Sequence, residues 1–323
     1  MNTIYQNDIY FQKMKINTKK VMNSGSKVSY TTKGGNAIIE SVLMPDSEII
    51  NEQLINCIFE KENVNCIKFQ KVLGNNVPNT VGKRCIKRKV SEDYILNLRK
   101  FKTIDDYYSS FGKKTRQHLK QYRKKFDNYL NELGGDKFEF VILKGDNIIN
   151  EEAFERIGYD IYQLNNSRCE SKGFSATAKT EWIYIAMKCG VIIYYKLNDI
   201  VIAGTILTIV DGQAFLHTIA HDPQFNKYNI GNLILKDTID YMWEQNVKII
   251  HFLWGYSDYK VRFLATEEGL YDVFVYKYDL LYFIGRVKNC ILDCIKMVKR
   301  KIKPFYYKYL KHRFYNQKYK ERK

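Results

Sequence analysis

The stretch that decides the fold runs from residue 191 to residue 220 and reads VIIYYKLNDIVIAGTILTIVDGQAFLHTIA. Three apolar segments rich in β-branched residues are separated by two polar dipeptides, Asn198-Asp199 and Asp211-Gly212. Such dipeptides between apolar runs are typical of tight hairpin turns. The stretch therefore predicts consecutive antiparallel strands near residues 191–198, 200–210 and 213–220.

Helices and further strands flank this predicted meander. Helical stretches are predicted at about 150–168 and 176–189 before it, and the segment NIGNLILKDTIDYMWEQN follows it as another helix. The apolar run KIIHFLW predicts a strand near 248–254 that ends at Gly255, then a short helix, then a last strand near 271–278. This order predicts an α/β (α+β) fold, with a mixed, mostly antiparallel sheet and helices on both faces.

Three parts of the chain differ in pattern. Residues 1–100 alternate strand-like and helix-like segments and predict a smaller α/β lobe in which no motif carries chemistry. Residues 101–283 hold the larger sheet domain. Residues 284–323 form a basic amphipathic helix and tail. Two domains and a tail are expected.

The positive charge is concentrated in two patches. The net charge is +17, and Arg286 to the end of the chain carries fourteen Lys and Arg residues against two acids. Lys113 to Lys125 adds seven basic residues and no acid, so the rest of the chain is close to neutral. Local basic surfaces are predicted, rather than a protein that coats nucleic acid over its whole surface.

The first basic patch lies on a predicted helix that ends at Gly134-Gly135. Arg116, Lys120 and Arg123 share one side of it at i, i+4 and i+7. One interpretation is an amphipathic helix with a solvated basic face. The other is that these three residues line a substrate pocket for a small-molecule anionic acceptor.

Cysteine usage and the N-terminal sequence suggest a reducing compartment. The seven cysteines are scattered without a C-x-x-C pair, which predicts neither a zinc site nor a disulfide framework, and no metal cofactor is expected. The first twenty residues lack an apolar signal-peptide core, and no apolar run approaches the ~18 residues of a membrane span. A cytoplasmic protein is predicted.

An anion site is predicted where the third strand of the meander turns into the following helix. A helix N-terminus presents free N–H groups and partial positive charge. Because Gly231 has no side chain, a pyrophosphate could approach the N–H groups of Ile230, Gly231 and Asn232, next to Asn229. Alternatively, the glycine serves only helix packing.

Three segments together resemble the GNAT acyltransferases. They are YYSSFGKKTRQHLKQYRKKF, HDPQFNKYNIGNLIL and GYSDYKVRF, within residues 101 to 280. The chain is similar to the CelD/BioF2-like branch, associated with exopolysaccharide and cellulose, and to the related Fem-type transferases. It departs from ordinary GNAT proteins because the usual Gln/Arg-x-x-Gly-x-Gly/Ala loop is missing.

This resemblance implies direct transfer of an acyl group, acetyl foremost, from acyl-CoA as co-substrate. The implied acceptor is an amine or hydroxyl of an amino sugar or another cell-envelope or polysaccharide precursor, such as a nucleotide- or lipid-linked sugar. Acyl-CoA would bind at Asn229, Ile230, Gly231 and Asn232. Lys260 would hold an acceptor phosphate or stabilise the tetrahedral intermediate, with Tyr259 as a hydrogen-bond donor.

The histidines are the candidates for the catalytic base. If strand alternation holds, His217 and His221 lie on one face near the thioester, and a histidine titrates near neutral pH. His221 is the preferred catalytic base, against the alternative of a packed histidine, and His251 is expected in the core. For Lys260 the alternative is a lysine at the start of an exposed helix, without a catalytic role.

The tail leaves three interpretations open. Apolar residues recur at three- and four-residue steps from Ile284 to Ile302, with lysines between them. Peripheral contact with an anionic inner membrane face, packing on the domain and nucleic-acid binding all fit this pattern. No nucleic-acid module is recognisable, so nucleic acid ranks last.

Two other functions compete with acyl-CoA-dependent transfer. A Fem-like aminoacyl transferase would use charged tRNA instead of CoA, which would give the basic patches a direct use. A catalytically degenerate GNAT domain would instead be a scaffold in a polysaccharide synthesis complex. Binding of acetyl-CoA separates the leading hypothesis from these two.

Overall fold

A computed structural model describes residues 3–23, 26–74, 84–134, 138–145, 151–171 and 180–306. Within these residues eleven strands form one mixed sheet. The strands are β1 (Lys19–Asn23), β2 (Ser26–Lys33), β3 (Asn36–Ile39), β4 (Cys66–Leu73), β5 (Cys85–Asn97), β6 (Phe138–Lys144), β7 (Gly190–Leu197), β8 (Ile200–Val210), β9 (Gln213–His221), β10 (Ile249–His251) and β11 (Thr266–Tyr276).

Ten α-helices accompany the sheet in the described residues. They are α1 (Asp8–Lys13), α2 (Asp46–Ile49), α3 (Glu52–Lys61), α4 (Ile104–Ser109), α5 (Lys113–Glu132), α6 (Glu151–Ser171), α7 (Glu181–Cys189), α8 (Ile230–Glu244), α9 (Asp258–Arg262) and α10 (Asp279–Tyr306).

The predicted meander is confirmed as β7, β8 and β9, which pair antiparallel in sequence order. Asn198 and Asp199 have φ values of 49° and 65°, and Asp211 and Gly212 have 49° and 71°. Positive φ at both central residues is what a hairpin turn matching the right-handed strand twist requires. The local turn chemistry therefore agrees with the tertiary structure.

Alternate residues of β7 separate two cores. Val191, Ile193 and Tyr195 pack with residues of α5 and α8, whereas Ile192 and Tyr194 pack with residues of α6 and α7. Side chains alternate between the faces of a strand, so these helix pairs cover opposite faces of the sheet. The predicted mixed sheet with helices on both faces is confirmed.

The sheet continues from the first hundred residues into the rest of the chain. Its strand order is β1-β2-β3-β4-β11-β5-β10-β9-β8-β7-β6, in which only β3–β4 and β9–β10 are parallel. The last strand, β11, lies between β4 and β5 and pairs antiparallel with both. The two lobes are therefore joined in one continuous sheet.

Candidate active site

The site begins where two parallel strands part. β10 pairs with β9 over only three residues, Ile249 to His251 against Gln213 to Phe215. β9 then continues to His221, whereas the segment that follows β10 leaves the sheet after His251. The predicted strand near 248–254 is thus shorter than expected. Beyond Phe215 this edge of β9 has no strand partner in the described chain, so its main-chain polar groups can bind a ligand.

A cavity of about 600 Å³ opens at this divergence. Both lobes contribute to its lining. Residues of the first lobe and the N-terminal segment are Tyr5, Tyr10, Met14, Glu40, Val42, Gln70 and Lys71. Residues of the larger lobe are Asn165, Arg168, Cys169, Trp182, Leu216, His217, Thr218, Ile219, Phe252, Leu253, Trp254, Tyr259 and Lys260.

The first lobe supplies charged groups to this cavity, although no motif in its sequence indicated a site. Burial raises the pKa of the Glu40 carboxyl and lowers the pKa of the Lys71 ammonium. The Gln70 amide lies 3.1 Å from a Glu40 carboxylate oxygen when its nitrogen faces that group. Lys71 Nζ lies 4.1 Å from the centre of the Trp254 ring. Only a weak signal, an acid directly after the strand-like residues NAII, marked Glu40 in the sequence.

Lys260 lines the cavity but is buried, with 4% of its surface exposed. Its Nζ donates to the backbone carbonyls of Leu253, Trp254 and Gly255 at 2.9, 3.1 and 2.8 Å. Burial lowers the pKa of Lys260 to about 8. The alternative of an exposed lysine at the helix start was wrong, because the chain after β10 folds around the ammonium. Its catalytic role stays a prediction.

Tyr259 also lines the cavity, where burial raises the pKa of its hydroxyl to about 12. The hydroxyl therefore keeps its proton at neutral pH and can donate a hydrogen bond, as predicted for this residue. Its ring packs edge-on against Phe252 with centroids 6.2 Å apart. Tyr259 thus combines a packing role with a position at the site.

His217 and His221 lie on opposite faces of the sheet, so the expectation that they share a face was wrong. The register of β9 against β8 shifts between Leu216↔Leu207 and Thr218↔Ile206, which makes His217 the extra residue of a bulge. A bulge reverses the side-chain alternation beyond it. His217 accordingly stacks on Trp182 of α7, with centroids 3.7 Å apart, whereas His221 packs beside Gly231 of α8.

The two histidines differ in what they can do. His217 lines the cavity, its Nε2 lies 2.8 Å from Thr208 Oγ1, and burial lowers its pKa to about 3. Its Nδ1 has no hydrogen-bond partner in the described part of the chain. His221 Nε2 lies 2.9 Å from Asn226 Oδ1. Because His221 lies on the opposite face of the sheet from Trp182, it does not line the cavity, and its role as the base stays a prediction. His217 is therefore the histidine at the cavity.

A buried polar network lies directly behind the divergence. His251 Nδ1 is 2.6 Å from Asp93 Oδ2, and His251 Nε2 is 3.0 Å from Gln213 Oε1. The exposure of each of these three residues is 1% or less. His251 is in the core, as predicted, but its ionisable partner Asp93 was missed because the two are distant in sequence. The network links β5, β10 and β9 where the strands part.

At the N-terminus of α8, one of the backbone N–H groups already has a hydrogen-bond acceptor within the chain. The N–H of Asn232 donates to the carbonyl of Asn229 at 2.9 Å, so one of the three predicted phosphate donors is already used. A Cβ at Gly231 would lie 2.7 Å from His221 Nδ1. Packing against His221 therefore accounts for the glycine, and an acyl-CoA site at Asn229–Asn232 stays a prediction.

Arg116, Lys120 and Arg123 line a second cavity, of about 680 Å³, between α5 and α8. None of the three lines the cavity at the divergence of β9 and β10, which lies between the lobes and is called the interlobe cavity below. Arg123 Nη2 forms an ion pair with Asp237 at 2.6 Å and also bonds the Tyr195 hydroxyl, while Arg116 and Lys120 are exposed. The sequence grouped the three correctly on one helix, but the structure separates them from Lys260.

Residues 176–261, which include β7 to β10 and the meander, match the family model described as an acetyltransferase (GNAT) domain. This segment is similar to a GNAT-type acetyltransferase domain. This match confirms the predicted class of enzyme, an N-acyltransferase of the GNAT type, and such a domain implies an acyl-CoA co-substrate. No curated protein matches the chain significantly.

Solved structures show that the likeness of fold extends beyond the GNAT domain. FemX has a TM-score of 0.58 at 10% identity, and the match covers 84% of this chain and 92% of FemX. L-PGS from Bacillus licheniformis has a TM-score of 0.51 at 14% identity, covering 84% and 88%. The C-terminal domain of a putative lysylphosphatidylglycerol synthetase from Agrobacterium fabrum has 0.51 at 9% identity, covering 89% and 95%. Both lobes take part in this similarity of fold.

Proposed function

We propose that the protein transfers an acyl group from acyl-CoA to an amine or hydroxyl of an amino sugar or related cell-envelope or polysaccharide precursor. The divergence of β9 and β10 into the interlobe cavity carries this proposal, since a thioester inserted there would meet an acceptor bound between the lobes. The CelD/BioF2-like branch that the sequence resembles suggests the acceptor class.

The cavity lining suits a sugar with a charged substituent. Trp254 is 41% exposed and its ring offers apolar surface, and Asn165 and Arg168 offer polar groups. Pyranose rings present apolar faces and hydroxyl edges, so this combination can hold both. Lys71 and Arg168 are cations suited to an anionic acceptor.

Glu40 is the proposed proton acceptor. In the reaction the acceptor nitrogen or oxygen bonds the thioester carbon, the carbon–sulfur bond breaks, and the acceptor's proton passes to the base. Because burial raises the pKa of Glu40, its carboxylate is a stronger base than an exposed one. The hydroxyl of Thr218 is buried, lines the cavity and has no partner among the described residues, so it can donate to the carbonyl oxygen.

The donor end would lie at the start of α8. Ile230 and Gly231 are the first two residues of this helix, so their N–H groups have no intrahelical acceptor. These two groups, rather than the three expected, remain for a pyrophosphate. Acyl-CoA would then run from α8 along the unpaired edge of β9 to the cavity.

A Fem-like aminoacyl transferase is the second candidate. The similarity of fold to FemX across both lobes and the partial self-satisfaction of the α8 N-terminus favour it. The cavity would then hold the same acceptor, and only the activated donor would differ.

Calorimetry with acetyl-CoA and thiol release with a panel of amino sugars test the proposal. Acetyl-CoA should bind, and Glu40→Gln should lower turnover by roughly two to four powers of ten. Glu268→Gln, an exposed carboxyl on β11, is the matched control and should have no effect. Absence of acetyl-CoA binding, with transfer from charged tRNA instead, would establish the second candidate.

A further inference from the structure

The apolar stripe of α10 is exposed. Its six residues have between 44% and 57% of their surface accessible: Ile284, Val287, Ile291, Ile295, Val298 and Ile302. Leu280 and Phe283, one turn earlier, are 70% and 64% exposed. The start of α10 contacts β11, where Tyr282 packs edge-on against Tyr276, but the domain does not cover the stripe. An apolar face this long needs a partner.

The spacing of the stripe follows a straight α-helix rather than a coiled-coil heptad. From Ile284 to Ile302 the five steps between apolar positions are 3, 4, 4, 3 and 4 residues. The two consecutive steps of four break the alternation of three and four that a left-handed coiled coil requires. The stripe therefore runs straight along the helix for roughly 27 Å and matches a planar surface.

The charges around the stripe identify the chemistry of that surface. At about 100° per residue, Lys288 and Lys301 flank the stripe, and the acid Asp293 lies on the opposite side of the helix. All three residues are exposed. From Arg286 onward the sequence carries fourteen basic residues and two acids. Basic residues beside an apolar face complement anionic phospholipid headgroups.

We propose that α10 is an interfacial helix that binds an anionic phospholipid surface, with its stripe inserted at the headgroup boundary. No helix of the described residues has the length and apolar character to cross a membrane. The inference rests on α10 alone and not on the proposed acyl transfer. It would stand if the cavity used another donor.

Vesicle sedimentation with the full-length protein tests this inference. Wild-type protein should bind phosphatidylcholine vesicles containing roughly a third phosphatidylglycerol much better than pure phosphatidylcholine vesicles. Salt at roughly 1 M, where the Debye length is about 3 Å, should weaken the binding. The double substitution Ile291→Glu/Ile295→Glu should reduce affinity by about tenfold or more, because it removes the centre of the stripe.

Asn289→Glu/Met297→Glu is the matched control. It adds the same two negative charges to α10 on the side away from the stripe, so it should reduce binding clearly less than the stripe variant. Equal losses in the two variants, or no preference of the wild type for anionic vesicles, would overturn the proposal. A wild-type dimer that only the stripe variant dissociates would assign the face to a second copy instead. Loss of RNA binding in the stripe variant, without vesicle binding by the wild type, would assign it to nucleic acid.

Discussion

Lys260 donates a hydrogen bond from its ammonium to the backbone carbonyl of Gly255, with a donor–acceptor distance of 2.8 Å. Together with the bonds to Leu253 and Trp254, this contact closes the chain segment that leaves the sheet after β10. The lysine therefore shapes the wall of the interlobe cavity, whatever part it takes in the reaction.

Replacing Lys260 by methionine should destabilise the protein by roughly 2–3 kcal/mol, because three backbone carbonyls lose their hydrogen-bond donor while the aliphatic stem is kept. Urea unfolding measures this change. Lys120→Met, an exposed lysine of α5, is the control and should stay within about 0.5 kcal/mol of wild type. Equal stability of both variants would contradict the role assigned to the three bonds.

The same lysine should give stability a pH dependence on the alkaline side. Its pKa falls from 10.5 to about 8 on folding, so the folded state binds fewer protons than the unfolded state between these values. Stability should therefore rise with pH from about 8 to 10.5 in wild type relative to Lys260→Met. Subtracting the two unfolding curves at each pH removes the contribution of the tyrosines. A difference in unfolding free energy that does not change between pH 8 and 10.5 would contradict this prediction.

His217 should act on the acid side with the same sign. Its pKa falls from 6.5 to about 3, so the folded state keeps the ring neutral while the unfolded state takes up a proton. The contribution of the neutral His217 ring to the free energy of unfolding is fully present above pH 6.5. It is lost as pH falls towards 3, by up to about 1.4 kcal/mol per pH unit. His217→Gln should remove this slope. The unfolding free energy of both proteins is measured between pH 7 and 4, and equal slopes in the two proteins would contradict this prediction.

Gly231 and His221 should be energetically coupled. A Cβ at residue 231 meets the imidazole at 2.7 Å, so Gly231→Ala should cost about 1–3 kcal/mol through overpacking. In a His221→Ala background the same substitution should be nearly neutral. A double-mutant cycle measures the coupling, and additive effects would show that the two residues do not constrain each other.

Arg123 and Arg116 lie on the same helix but should differ in their effect on stability. Arg123→Met leaves Asp237 without its cation and should destabilise the protein by about 1–2 kcal/mol, since the pair is partly screened by solvent. Arg116→Met should change stability by less than about 0.5 kcal/mol, because this side chain is exposed. Thermal melts at matched salt compare the two, and similar losses would contradict the assignment of Arg123 to a structural pair.

Much of the fold was readable from local sequence. The positive-φ dipeptides at Asn198-Asp199 and Asp211-Gly212 and the apolar runs between them determine the meander β7–β9, because turn conformation and strand alternation depend on neighbouring residues. The amphipathic period of α5 and the apolar stripe of α10 were visible for the same reason. The GNAT-like order of strands and helices followed from these local patterns.

The composition of the site was decided by tertiary structure. A one-residue bulge at His217 reverses alternation in β9, and neither the residues before it nor those after it signal the bulge. Glu40 and Lys71 reach the cavity because β11 pairs with β4 and β5, and β5 pairs with β10, so both lobes share one sheet. Asp93 meets His251 across 158 residues of sequence. Local sequence determines backbone conformation, but the burial and the partners of a side chain depend on contacts between residues distant in the chain.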